Sequence, residues 1–394
     1  MIRDQAIRER STEWQMRVDV VEKDYVLGWL LAALATADGA RGWIFKGGTC
    51  IKKCYFETYR FSEDLDFSLL PEARYTPEAI LEALRLIASA ANEMSGIEFP
   101  EALIEVRSRR NKQGQATFEG RIPYLGPLAY PGYPRVRVDI TQNEPVFDAV
   151  AERGVFHPYP DELPGAVAVA TYSFDELLAE KTRALFERAR PRDLYDVVYL
   201  LDNRPDAFDL ERVHELFEKK CQAKGLSVPS ARALIEAVRA DEELRSEWSN
   251  MLAHQLPALP DLDELLRRLP GLLSWIDEPA VVLAEMRLAS VPIPADERRV
   301  AATGMRYWGK GLPLETIRFA GANRLLVEFE HDGIRHVIEP YALAETATGN
   351  ILLYGWEQAS SRIEMFDVTM IERLRIPGNS FSPRYRVDLS SLVP

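Results

Sequence analysis

Three cysteines in 394 residues are too few for a disulfide framework and fit a reducing compartment. Cys50 and Cys54 have the spacing of one helix face, which reads as core packing rather than as a redox or metal pair. Long apolar runs are also missing. The longest, Val26 to Ala35, is too short to span a bilayer. No basic N-terminal stretch leads into an apolar signal core. The chain is therefore expected in the cytoplasm, with no membrane partner. Basic residues are in the minority: 48 Lys and Arg face 61 Asp and Glu, a net charge of −13. That balance excludes a generic nucleic-acid coat but not a local basic patch. Two such clusters stand out, Arg107, Arg109, Arg110 and Lys112 in a loop-like stretch, and Arg183, Arg188, Arg190 and Arg192. Either could hold an RNA backbone, and either could be a solvated surface run. Internal repeats and low-complexity tracts are absent.

What is present divides into three regions, and the length suits two or three domains. Val21, Tyr25, Leu27, Leu30, Leu31 and Leu34 recur at helical spacing. Trp43 to Lys46 is a short apolar strand that stops at Gly47-Gly48. Leu65, Phe67 and Leu69 alternate with Asp64, Asp66 and Ser68, the pattern of a half-buried strand. Residues 77–95 read as a helix. In RVRVDIT, residues 135–141, Val136, Val138 and Ile140 take one face; Arg135, Arg137, Asp139 and Thr141 take the other. From Phe174 to about Leu273 the pattern is helical, punctuated near Pro191, Pro205, Pro229 and Pro257. Val291-Pro292-Ile293-Pro294 is a plausible linker. Residues 316–375 then alternate as strands, with turns at Asp332-Gly333 and Gly349-Asn350.

The most informative stretch is GGTCIKKCYFETYRFSEDLD, residues 47–66. A small-residue turn precedes two aspartates one residue apart, the order in which polymerase-type nucleotidyltransferases receive a triphosphate and then hold metal. Residues two apart on a strand point to the same side, so Asp64 and Asp66 face one way. Asp139 lies on the polar face of another strand. If the strands are neighbours, three carboxylates converge. Like charges about 4 Å apart repel by about 4 kcal/mol at an effective dielectric of 20, so such a cluster needs a shared proton or a cation. Oxygen ligands of this kind select Mg²⁺ or Mn²⁺. The Gly47-Gly48-Thr49 turn fits the same chemistry, because glycines let backbone N–H groups approach phosphate oxygens.

Phe174, Leu177, Leu178 and Leu185 form one apolar helix face, and Lys181 falls on it. An inward lysine requires a negative partner, such as a triphosphate or a buried aspartate; otherwise it snorkels to the face edge. Asp193 and Asp196 open the next helix after Pro191, which is ordinary helix-start chemistry. In a functional reading Asp193 orients Lys181.

Taken together, EKDYVL (Glu22 to Leu27), FKGGTCIKKCY (Phe45 to Tyr55), RFSEDLDFSL (Arg60 to Leu69), VRVDIT (Val136 to Thr141), EKTRAL (Glu180 to Leu185) and PRDLYDVVYLL (Pro191 to Leu201) resemble the AbiEii/MenT-type nucleotidyltransferase toxins over about residues 15–275. The resemblance implies an α+β fold: a polymerase β-like nucleotidyltransferase core over residues 1–200 and an appended helical bundle over 201–290. It implies transfer of a nucleotide from an NTP to an acceptor, with the tRNA 3′ end foremost, blocking translation, and a cognate antitoxin as partner. Carried over, Asp64, Asp66 and Asp139 bind metal, Lys181 contacts phosphate and Asp193 supports it. Gly47, Gly48, Thr49 and Ser62 line the nucleotide; Thr49 stands where the family often has Ser. HVIEPYALAE (His336 to Glu345), ILLYGW (Ile351 to Trp356), RIEMFDVTMIERL (Arg362 to Leu374) and SFSPRY (Ser380 to Tyr385) resemble a small β-rich WYL-type domain over 291–394, with Leu352-Leu353-Tyr354 replacing the signature triplet. Two other readings are a nucleotide-sensing, nucleic-acid-binding regulator without catalysis, and a nucleotidyltransferase acting on protein.

Overall fold

The computed structural model describes residues 1–70, 75–110, 116–142, 144–205, 208–280, 283–300, 306–307 and 309–390. Helices α1 (Asp4–Glu13) and α2 (Val18–Thr36) lead into β1 (Trp43–Lys46). A short helix α3 (Gly47–Cys50) follows at once and continues as a π-helical turn over Ile51–Tyr55. Strand β2 (Asp64–Leu69), helix α4 (Pro77–Ser95) and strands β3 (Glu105–Arg110), β4 (Ala116–Pro123), β5 (Arg135–Thr141), β6 (Ala151–Gly154) and β7 (Ala168–Thr171) complete the first sheet region. The strand order is β3-β4-β5-β2-β1-β7-β6. Most neighbours run antiparallel; the exceptions are β2 with β5 and β1 with β7, which run parallel.

Side-chain alternation decides which face is buried. Leu65, Phe67 and Leu69 of β2 and Val136, Val138 and Ile140 of β5 are all buried, on the side where α4 packs against β3 and β4. Asp64, Asp66 and Asp139 are left on the other side. Thr76 caps α4 by accepting from the Ala79 N–H, and Pro77 pre-sets its first turn. Cys50 and Cys54 are free and buried, as core packing requires.

A helical layer follows: α5 (Phe174–Arg188), α6 (Pro191–Asp202), α7 (Leu210–Ala223), α8 (Ala231–Ala240), α9 (Glu242–Leu252) and α10 (Leu262–Leu272). Beyond it lie β8 (Arg298–Arg299), α11 (Leu314–Ala322), β9 (Val327–His331), β10 (Ile334–Glu345), β11 (Ile351–Glu357), β12 (Arg362–Asp367) and β13 (Glu372–Arg375), whose strands form a second, antiparallel sheet ordered β12-β11-β10-β9-β13 with β8 on β10. The β9–β10 turn is at Asp332-Gly333, as expected, with φ of 52° and 75°. At Gly349 φ is 87°, in the expected second turn.

Three expectations are corrected. Residues 314–322 are a helix, not the start of alternating strands; Leu314, Ile317, Ala320 and Gly321 sit inside it at helical spacing, all buried. Arg107, Arg109 and Arg110 lie on the edge strand β3 rather than in a loop, because β4 pairs with them over their whole length; Lys112 lies outside the described residues. Residues 291–294 are not a free spacer: Val291 is buried, its carbonyl accepts from Arg299, and Ala289 accepts from the Arg386 N–H.

The second sheet region is bound to the first through α11. Arg318 is buried between Glu57 (3.0 Å) and Glu315 (2.8 Å). Tyr195 donates to Asn323 at 2.8 Å, and Arg324 donates to the Asp202 carbonyl at 2.7 Å. Breaking a buried pair by removing one partner costs about 3–5 kcal/mol. Arg318→Ala is therefore expected to lower unfolding free energy by about that amount, measured by denaturant titration. A change below about 1 kcal/mol, the size of an exposed pair, would show that the seam is not held this way.

Candidate active site

Strand β1 ends at Lys46, and the chain turns without a loop into α3. Gly47 makes this possible: its φ is +80°, and a Cβ there would lie 2.3 Å from an Asp66 carboxylate oxygen. Gly48 faces the next group, where a Cβ would come 2.7 Å from the Arg60 guanidinium and 2.9 Å from the Ser62 hydroxyl. The turn thus presses backbone against Asp66, Arg60 and Ser62. The Thr49 side chain does not face this space; it is buried and its hydroxyl donates to the Asp64 carbonyl.

The parallel pairing of β2 with β5 sets Asp66 directly beside Asp139, and Asp64 beside Arg137. Lys46 is the β1 partner of Asp66. Burial, with Asp139 and Asp64 adding like charge, pushes the Asp66 carboxyl up to about 6, against the pull of Lys46 and Lys181. Asp64 is raised by burial, Asp139 and Glu63, opposed by Arg137 and Arg192. Asp139 is raised by burial too, although Arg137 bridges it at 2.7 Å. Three mutually destabilised carboxylates on one face suit a divalent cation in charge and in donor type. Among the described residues no group of three or more acids, histidines or cysteines is already drawn together in metal-holding geometry; Asp139 is turned toward Arg137.

Lys181 reaches the site from α5. Its ammonium lies 2.7 Å from Asp196, not from Asp193. This corrects the expected pairing, and helix geometry explains it. Asp193 is in the first turn of α6 and takes both donors of Arg188, at 2.7 and 2.9 Å. Asp196 is almost one turn further on and faces the sheet, fully buried. It also accepts from Arg60 at 2.6 and 2.8 Å and from Tyr59. Burial alone would raise its pKa; Arg60 and Lys181 instead hold it well below the usual carboxylate range.

Sequence reasoning assigned no role to Lys46, Glu144 or Arg60, and gave Asp196 only a place in helix-start chemistry. Glu144 is buried and accepts from Lys46 and, at 3.0 Å, from the Ser68 hydroxyl; Lys224 lies 3.3 Å away. Burial opposes its charge, but Lys46 and Lys224 keep it ionised far below the usual range. Arg60 and Lys46 stand inside the quoted motifs, so that position was the available signal. Of the Arg183–Arg192 cluster, Arg183 pairs with Glu180 and Glu187, and Arg188 with Asp193. A cleft of about 380 Å³ adjoins the carboxylate strand at Glu63, lined also by Arg17, Lys23, Tyr124 and Tyr130.

A glycine turn thus packs against a strand of paired carboxylates, with a lysine delivered by a following helix. The chain belongs to the nucleotidyltransferase AbiEii toxin family of type IV toxin–antitoxin systems, whose model matches residues 29–268. Among solved structures it is similar to MenT4, a nucleotidyltransferase toxin from Mycobacterium tuberculosis H37Rv, at 21% identity over 71% of this chain and 90% of that one, with a TM-score of 0.48. It is also similar to the proteasome accessory factor B/C of Arthrobacter aurescens, at 13% identity over 92% and 71%, with a TM-score of 0.18. No curated protein matches it. No helix among the described residues is long and apolar enough to cross a membrane.

Two measurements test the electrostatics. A folded pKa near 6 means that ionising Asp66 costs stability as pH rises past the ordinary carboxylate range. In chelator-treated protein, Asp66→Asn is expected to gain about 2–3 kcal/mol at pH 8 and nothing below the ordinary carboxylate pKa, read as melting temperature against pH. A flat difference across pH would contradict it. Asp196→Asn strands two buried cations and should cost about 3–5 kcal/mol, whereas Asp193→Asn, facing a half-exposed arginine, should cost about 1 kcal/mol. The opposite ranking would make Asp193 the lysine's partner.

Proposed function

We propose that this enzyme transfers a nucleoside monophosphate from an NTP to an RNA acceptor, foremost the 3′ end of tRNA, in a reaction that depends on Mg²⁺ or Mn²⁺. The observation that carries the reading is the β2–β5 register, which sets Asp66 against Asp139 with Asp64 on the same face and Lys181 close enough to act on Asp66. Bound divalent ions would activate the acceptor hydroxyl and neutralise the triphosphate and the leaving pyrophosphate. Asp64, Asp66 and Asp139 would hold them.

The chain's own residues do the rest. Lys181 grips the triphosphate, positioned by Asp196 rather than by Asp193. Gly47 and Gly48 let the backbone approach the phosphates, with the Ser62 hydroxyl beside them. Thr49 contributes its backbone N–H, its hydroxyl being engaged by Asp64. Lys46, seated by Glu144, offsets part of the charge on Asp66. Transfer of this type rests mainly on positioning and charge neutralisation, which is what such residues supply.

We also propose the division of the chain into a nucleotidyltransferase core (1–200), a helical bundle (201–290) and a WYL-like unit (291–394). The two separate sheets and the helices between them support it. The family supports a cognate antitoxin as partner.

Purified protein incubated with each labelled NTP, Mg²⁺ and total bacterial RNA should label RNA, and chelator should abolish the label. Asp66→Ala should fold normally and lose at least about 100-fold in rate, as loss of a transition-state electrostatic group does. Label on protein alone would reject the RNA acceptor, and no label with any NTP would reject the reading. Expression should arrest growth, and Lys181→Ala should relieve it; equal growth of both strains would count against the toxin role. Mg²⁺ should also raise the melting temperature of the wild type and not of Asp66→Ala.

A further inference from the structure

The face that carries the carboxylates does not end at Asp139. Residues opposite one another in a sheet point to the same side, so the pairing can be followed outward strand by strand. Asp64 is followed by Arg137, Arg121 and Glu105; Asp66 by Asp139, Glu119 and Arg107; Ser68 by Thr141, Thr117 and Arg109. Arg135 extends the first of these rows along β5. Beyond β2 this surface thus holds Arg107, Arg109, Arg121, Arg135 and Arg137 against Glu105, Glu119 and Asp139, five positive charges to three negative. The whole chain has the opposite balance, 48 basic to 61 acidic.

The arginine heads are accessible. Side-chain exposure is 53% for Arg107, 62% for Arg109, 51% for Arg135 and 50% for Arg137. Their present partners are neighbouring acids, at 3.1 Å for Arg107–Glu105 and 3.3 Å for Arg109–Glu119. Arg107–Glu105 is an exposed pair, weak and readily exchanged for phosphate, and Arg109 keeps its head in solvent although Glu119 is buried. From β2 to β3 are three strand spacings, about 14 Å, so the arginines extend outward from the carboxylates over the length of a few phosphates.

We infer that the outer face of β3–β4–β5 is the track on which an RNA acceptor lays its phosphodiester backbone, with its reactive end toward Asp66 and Asp139. The inference rests on the transfer to RNA proposed above and adds the surface that delivers the acceptor. An acidic protein would repel such a strand elsewhere, so charge complementarity favours this face. The contacts are to phosphate and carry no base preference.

The test uses the full chain and bulk bacterial tRNA in a gel-shift titration at several salt concentrations, with four proteins: wild type, R107Q/R109Q, R107K/R109K, and R232Q on exposed α8 as a control. The glutamine pair should weaken binding about tenfold and flatten the salt dependence by roughly 1.5 in log–log slope, the loss of two phosphate contacts. The lysine pair and R232Q should stay near wild type. In the transfer assay the glutamine pair should raise KM for tRNA and leave KM for NTP unchanged. Unaltered affinity and slope in the glutamine pair, an equal loss in R232Q, or no tRNA binding by wild type would overturn the proposal. If tRNA binding falls as expected but no NTP is transferred to RNA, the catalytic reading fails and this surface stands.

Discussion

Asp196 is the buried charge to which the site is tied. It sits where an ionised carboxylate is costly unless surrounded by donors, and it has them: both arms of Arg60, the Tyr59 hydroxyl and the Lys181 ammonium. The donors come from two separate stretches. Arg60 and Tyr59 belong to the segment between α3 and β2, and Lys181 to α5. One carboxylate thereby fixes the helical layer against the chain that enters the carboxylate strand. Arg60 lies against Gly48, so the glycine turn is set by the same contact.

The second constraint is charge held in tension on the open side of the sheet. Asp66 is buried with like charges beside it, and these outweigh the pull of Lys46 and Lys181, raising its carboxyl to about 6. Glu144 takes part by engaging Lys46, which limits how fully that lysine can neutralise Asp66. A cation or a triphosphate entering this space meets groups that gain from its arrival.

Much of this was legible in the residues. Alternation marked β2 and β5, and helical spacing marked α4 and α5, because each presents an apolar face to a large core; α2 is buried along nearly its whole length. The carboxylates were legible as a candidate set for the same reason. What could not be read is anything set by long-range pairing. That Asp66 lies beside Asp139 follows from a parallel register between strands far apart in the chain. That Asp196 and not Asp193 meets Lys181 follows from the rotation of α6, since both acids open that helix. Lys46 and Glu144 are 98 residues apart. Strand β3 escaped because an edge strand with four polar, exposed residues in six has no apolar rhythm. Helix α11 escaped because nine residues give only about two and a half turns of period.

Residues 57–60 serve two neighbours within four positions. Glu57 answers to Arg318 of the C-terminal part, and Arg60 answers to Asp196 beneath the nucleotidyltransferase site. Inheritance of the two parts is therefore not independent. A C-terminal unit exchanged by recombination must bring a cation matched to Glu57, or the graft is felt three residues away by the arginine that seats the lysine.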